Sequence, residues 1–205
     1  MLLSCQTVPI TGRHQLDLIS SHDEIKLGES AYKDVMKKST LSRDSASTEM
    51  VRRVGQRIAA VADRPDYQWE FNLVEDKTPN AFCLPGGKVV VYTGILPTTK
   101  DENGLAVVMG HEIAHAIADH GNERMSQGLL AQFGGIALSE ALKKKPQETQ
   151  ALWMTVFNVG VQYGALLPYS RLHESEADHL GLIFMSMALG LAASVARSAK
   201  REQGD

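Results

Sequence analysis

The segment His111-Glu112-Ile113-Ala114-His115 sets the tightest constraint on what this chain of 205 residues can become. Histidines four residues apart stand on one side of an α-helix about a turn from each other, so their ring nitrogens can converge on a single ion. Glu112, beside the first of them, is placed to take a proton from a water that such an ion activates. H-E-x-x-H is the spacing by which zinc peptidases combine two neutral imidazole ligands with a general base. Leu105, Ala106, Val107, Val108 and Met109 precede the segment, and Ala116, Ile117 and Ala118 follow it. A helix that is apolar nearly all round is a buried one. Its polar side chains then require partners, because an unpaired buried charge is expensive. A metal ion is one such partner; ordinary core hydrogen bonds are the other.

A catalytic zinc takes three protein ligands and keeps one position open. The third ligand is expected from Arg171-Leu172-His173-Glu174-Ser175-Glu176-Ala177-Asp178. Glu174 and Asp178 share a helical face, and Glu176 points away from both. This spacing favours Glu174 as the ligand, with Asp178 behind it accepting the free N–H of a metal-bound imidazole and fixing its tautomer. His173 is the rival ligand. Leu180, Leu182, Ile183, Phe184 and Met185 make the following turns strongly apolar, which fits a solvated acidic face poorly. His120 lies five residues beyond His115 and is expected to be a polar helix-end residue pointing elsewhere, with Gly121 ending the helix.

With 43% hydrophobic residues the chain can bury one core of substantial size. A net charge of −3 provides no basic field, which excludes nucleic acid as the main partner. Residues 1–20 read as an N-terminal arm. Ser21 and Glu24 form a capping box for a helix to about Lys38. A second helix begins near Ser47, repeats Met50, Val51, Val54, Ile58 and Val61 on one face, and is stopped by Arg64-Pro65. Trp69, Phe71 and Leu73 alternate as in a strand. Residues 80–84 and 88–92 flank Pro85-Gly86-Gly87 as a hairpin. These elements predict an α+β fold, mainly helical, with a small, mostly antiparallel sheet beside the H-E-x-x-H helix. Leu129 to Leu142 and Ala151 to Leu167 are expected to be packed core helices. No uninterrupted apolar stretch of about 18 residues marks a transmembrane helix. Cys5 and Cys83 do not make a disulfide framework. Leu2-Leu3-Ser4-Cys5 resembles the end of a bacterial lipoprotein signal without its basic segment and longer apolar run; two readings stand, a shortened signal with Cys5 lipidated and anchored to a membrane, or an accidental likeness.

His111-Glu112-Ile113-Ala114-His115 followed by Glu174-Ser175-Glu176-Ala177-Asp178 resembles the H-E-x-x-H … E-x-x-A-D pair of metallopeptidase family forty-eight, the group of the Ste-type CAAX proteases, HtpX and the OMA-type peptidases. Within it the chain is most similar to bacterial periplasmic lipoprotein and mitochondrial OMA-type members. That similarity extends to Val8-Pro9-Ile10-Thr11-Gly12-Arg13, to Pro79-Asn80-Ala81-Phe82 with Leu84-Pro85-Gly86-Gly87-Lys88, and to Tyr92-Thr93-Gly94. The resemblance implies a zincin-like domain of the gluzincin type over residues 21–205. One zinc ion per chain would be held by His111, His115 and Glu174, with Glu112 as base and Asp178 supporting an imidazole. Asn80, Ala81 and Phe82 would form a cleft wall along which an extended polypeptide pairs by β-augmentation. The implied activity is endopeptidase cleavage of unfolded or membrane-associated proteins in quality control. The implied location is the bacterial periplasm, anchored through the Cys5 lipid, with the mitochondrial inner membrane as the alternative. The chain departs from the family in one respect. An oxyanion donor is expected downstream of the acidic motif, often in a segment containing a histidine, yet no histidine follows His179 and the tail from Leu189 differs, as though the family's C-terminal segment were lacking. A second reading follows: a zinc-binding, chaperone-like relative with little hydrolysis.

Overall fold

A computed structural model describes residues 5–162 and 166–202 of the chain. The arm contains two short strands, β1 (Cys5–Thr7) and β2 (His14–Leu16), paired antiparallel with Cys5 opposite Leu16. The side chain of Cys5, the expected lipidation site, lies outside the described residues. α1 (Ser21–Lys38) starts one residue earlier than its expected cap: Ser20 accepts from the Asp23 N–H. Glu24 does not close a capping box; it is buried and accepts from Asn122 Nδ2 at 3.2 Å. α2 (Ser45–Ala59) is capped by Asp44, whose carboxylate accepts from the Ala46 and Ser47 N–H groups.

The sheet differs in one respect from the expected one. β3 (Glu70–Val74), β4 (Ala81–Leu84) and β5 (Lys88–Tyr92) lie in the order β3-β5-β4. β4 and β5 form the expected antiparallel hairpin, closed through Gly86 and Gly87, both at positive φ where a side chain is strained. β3, however, pairs parallel with β5, from Glu70 opposite Lys88 to Val74 opposite Tyr92. The sheet is therefore mixed. Its central strand is covered on both faces, which is why Val89, Val90 and Val91 are all fully buried and why that stretch is a continuous apolar run with no alternation.

After a 3-10 turn (Thr93–Ile95) and the single-turn α3 (Leu96–Thr99), α4 (Glu102–Ile117) begins at Asp101, whose side chain accepts from the Gly104 N–H. α4 is the buried helix that its composition predicts: Leu105, Met109 and Ile113 are inaccessible and pack with Val54 and Ile58 of α2, Leu73 of β3 and Val91 of β5 in one core. Asp119, not Gly121, breaks the helix. It adopts the left-handed conformation at φ 50° and its carboxylate meets Arg64 Nη1 at 3.3 Å, while Gly121 lies inside α5 (His120–Leu142).

α5 and α6 (Gln147–Val161) form a hairpin that projects from this core. The expectation of packed core helices fails there. Phe133, Ile136, Leu152, Trp153, Val156 and Val159 are all more than half exposed, and no described side chain of α6 is buried. The two helices pack on each other, with Phe157 against Gly134 and Gly135, and leave their outer faces uncovered. Among the described residues no helix is long and apolar enough to cross a membrane. α7 (Leu167–Glu202) returns along α4 and closes the core with Ala177, Leu180 and Phe184.

One buried acid makes folding sensitive to pH. Burial, reinforced by the nearby Asp119, pushes the Glu24 carboxyl from 4.5 up to about 7. The folded chain then holds this proton more tightly than the unfolded one, so the contribution of Glu24 to stability is complete below about pH 4.5 and is lost as pH rises through 7. Thermal unfolding should show a fall in Tm over that window that is flattened in Glu24→Gln; an unchanged slope in the variant would contradict the assignment.

Candidate metal centre

The site is made where α4 crosses α7. A Cβ on Gly181 would lie 2.9 Å from the His111 backbone nitrogen and 3.0 Å from the Gly110 carbonyl carbon, and one on Gly110 would lie 3.0 Å from the Gly181 oxygen. Only a pair of glycines permits backbones this close. The closeness brings the first turns of α7 against the H-E-x-x-H turn.

Three of the sequence-predicted residues converge there. His111 Nε2 and His115 Nε2 are 3.1 Å apart. The Glu174 carboxylate turns one oxygen to each, Oε2 at 3.4 Å from His111 Nε2 and Oε1 at 3.5 Å from His115 Nε2. Ligands about 2.0–2.1 Å from a tetrahedral ion stand roughly 3.3 Å from one another, so the observed spacings match those around one divalent cation. Among the described residues this is the one cluster of histidines, cysteines and acids with such convergence. Asp178 Oδ1 is 2.8 Å from His111 Nδ1. A carboxylate there requires the proton on Nδ1 and leaves the Nε2 lone pair turned into the cluster. Burial, followed by smaller contributions from neighbouring charges, holds His115 well below the ordinary histidine range, which keeps its ring in the neutral form that a ligand needs. Glu112 follows His111 on the same turn, and burial raises its carboxyl; His111 opposes that rise and Glu174 adds to it.

The remaining candidates fall elsewhere. His173, the rival ligand, is fully buried and its Nε2 meets Glu123 Oε2 at 2.8 Å, so it does not join the cluster. Glu176 does point away from Glu174, toward the interior and not toward solvent. It accepts from the Thr11 hydroxyl and from Arg13 Nε at 2.7 Å, and its Oε2 is 3.0 Å from His120 Nε2. His120 is the clearest correction. It is fully buried, and its Nδ1 lies 2.8 Å from His115 Nδ1. The expectation that it points elsewhere assumed an uninterrupted helix; the left-handed turn at Asp119 swings it back under His115. An aspartate and a glycine bracketing a histidine just past the motif are the signal that could have shown this.

β4 lies beside α4 at an edge of the sheet. Asn80 is exposed, Ala81 buried and Phe82 half-buried, with the Asn80 carbonyl accepting from the Tyr92 N–H at 3.0 Å on the β5 side. Burial and, after it, the Glu112 carboxylate push the Cys83 thiol up.

The sequence profile of peptidase family M48 matches residues 45–198. The chain belongs to peptidase family M48. It is 39% identical over 184 residues to the mitochondrial metalloendopeptidase OMA1 of Schizosaccharomyces pombe, an alignment covering 88% of this chain and 52% of that protein. Identity to the human mitochondrial metalloendopeptidase OMA1 is 33% over 189 residues, 88% of this chain and 36% of the relative. The β-barrel assembly-enhancing protease of Escherichia coli is 26% identical over 186 residues, 87% of this chain and 37% of the relative. This M48 member thus spans about half the length of the fission-yeast relative and less of the other two. The α4–α7 crossing generates a direct prediction for it. Gly181→Val must separate the helices and pull Glu174 from the imidazoles, so metal affinity measured by titration should fall on the order of tenfold or more while the helical circular dichroism persists; wild-type affinity in that variant would contradict the account of the site.

Proposed function

We propose that the chain is a zinc-dependent metalloendopeptidase in which His111, His115 and Glu174 hold one zinc ion and Glu112 is the catalytic base. The observation that carries this reading is the mutual spacing of the two Nε2 atoms and the Glu174 carboxylate, with Glu112 on the same helical turn. Two imidazole lone pairs facing each other at 3.1 Å beside a carboxylate form a donor set that a cation satisfies and that neutral packing does not. Zinc held by His111, His115 and Glu174 would supply a Lewis acid for the scissile carbonyl and would lower the pKa of a water toward neutrality. Glu112 would act as the general base that takes a proton from the attacking water and delivers it to the leaving amine. Asp178 keeps the His111 Nδ1 protonated and its ring oriented.

The substrate we propose is polypeptide in extended form, as in unfolded or membrane-associated proteins handled in quality control. The edge position of β4 supports this, because a peptide added beside Asn80, Ala81 and Phe82 would run past Glu112 with its backbone hydrogen bonds satisfied. Two features bear on location. Leu2-Leu3-Ser4-Cys5 supports a lipid anchor in the bacterial periplasm, and the fission-yeast and human relatives are named as mitochondrial, which supports a mitochondrial location as the alternative. Mass analysis of Cys5 after expression with a complete leader separates the two.

Glu112→Gln should retain about one zinc per chain and lose chelator-reversible cleavage of casein. Cleavage that persists would remove Glu112 from its role, and zinc binding without turnover in the wild-type chain would favour the chaperone-like reading. Glu174→Ala should weaken zinc binding more than Glu176→Ala does; the opposite order would exchange their assignments.

A further inference from the structure

The Val8–Arg13 stretch of the arm precedes the residues matched by the family profile, and nothing in the proposed reaction uses it. Arg13 nevertheless reaches into the interior between α5 and α7. Its Nε is 2.7 Å from Glu176 Oε2 and its Nη1 is 2.8 Å from Glu123 Oε2. Both carboxylates are almost wholly buried. Glu123 also meets His173 Nε2 at 2.8 Å, and the His173 ring stacks on His120 with centroids 4.2 Å apart and an interplanar angle of 18°. Beyond His120 stands His115, a metal ligand in the reading proposed above.

The proton positions along this chain of contacts are determined one from the next. Glu176, paired with the Arg13 guanidinium and accepting from the Thr11 hydroxyl, is a carboxylate and only accepts. His120 Nε2, 3.0 Å from it, therefore carries a proton. A neutral His120 then has a bare Nδ1, and the proton in the 2.8 Å contact between the two Nδ1 atoms belongs to His115. A neutral His115 protonated on Nδ1 has its lone pair on Nε2, the atom that faces His111 Nε2 and Glu174.

We propose that Thr11 and Arg13, acting through Glu176 and His120, are positioning residues that lock His115 in its metal-binding tautomer, so that the N-terminal arm is a working part of the metal centre. The proposal rests on His111, His115 and Glu174 being the ligands. It gives His115 a support from inside the fold to match the one that Asp178 gives His111 from the surface. His120, Glu123 and Glu176 are buried, so the bonds among them act in a low dielectric and a lost member leaves its neighbours unsatisfied, while Thr11 and Arg13 close the network at its solvent-facing end.

The test uses the full chain loaded with zinc and labelled with 15N-histidine. The His115 ring proton should appear on Nδ1 with a through-hydrogen-bond coupling to His120 Nδ1, and the His120 proton on Nε2; a His120 protonated on Nδ1, or no coupling, overturns the proposal. Zinc affinity by competition with a chromophoric chelator is the second readout. His120→Phe keeps the stacking shape on His173 and removes the acceptor, and should weaken binding on the order of tenfold. His120→Gln, which can still accept from His115 and donate to Glu176, should restore part of it. Arg13→Ala should weaken binding in the same direction, with partial recovery in Arg13→Lys. Wild-type affinity in folded His120→Phe and Arg13→Ala would overturn the positioning role alone. A wild-type chain that takes up no zinc would overturn the ligand assignment along with it.

Discussion

The close crossing of α4 and α7 at Gly110 and Gly181 is the contact on which the rest of this structure depends. H-E-x-x-H places two imidazoles one turn apart, but a two-histidine pair is not a metal site until a third ligand arrives from elsewhere in the chain. Glu174, the candidate third ligand, comes beside the two imidazoles because the α7 backbone runs against the α4 backbone with no side chain between them. Residues 116–180 separate the motif from Gly181, and the α5–α6 hairpin occupies most of that length. Its exposed apolar faces show that it adds little to the core, whereas the contact at its base sets the site.

Each imidazole is held at its far nitrogen by a different kind of partner. His111 is met by Asp178 at the surface, where the carboxylate is largely solvated. His115 is met by the fully buried His120, and the chain of partners runs on through Glu176 to Arg13 near the surface. Buried polar networks of this kind stabilise only when every member is satisfied. This one is satisfied almost throughout, with His173 Nδ1 the one member lacking a partner among the described residues.

The legible parts of the fold were those written in short-range chemistry. The His111-to-His115 spacing, the amphipathic repeat Val51-Val54-Ile58 and the Pro85-Gly86-Gly87 turn each identify their element from neighbours in sequence, and Glu174 and Asp178, four residues apart on one helical face, stand together beside the imidazoles. Partner choice between distant segments was less legible. Nothing local in Phe71 or Leu73 shows that β3 pairs parallel with β5. The apolar composition of residues 129–161 does not show whether that surface is covered, and it is mostly not. Helical periodicity misplaces His120 because a single left-handed residue, Asp119, cancels it, and Asp119 and Gly121 on either side are its only local sign. Nothing local to Arg13 shows that it pairs with Glu123 and Glu176, residues more than a hundred positions away.

X-ray absorption at the zinc edge of the purified, zinc-loaded chain tests the central claim most directly. The geometry predicts a shell of nitrogen and oxygen at about 2.0–2.1 Å with the outer-shell pattern of two imidazoles and no sulfur. A third imidazole, a sulfur neighbour at about 2.3 Å, or an ion without an ordered imidazole shell would contradict a centre built from His111, His115 and Glu174.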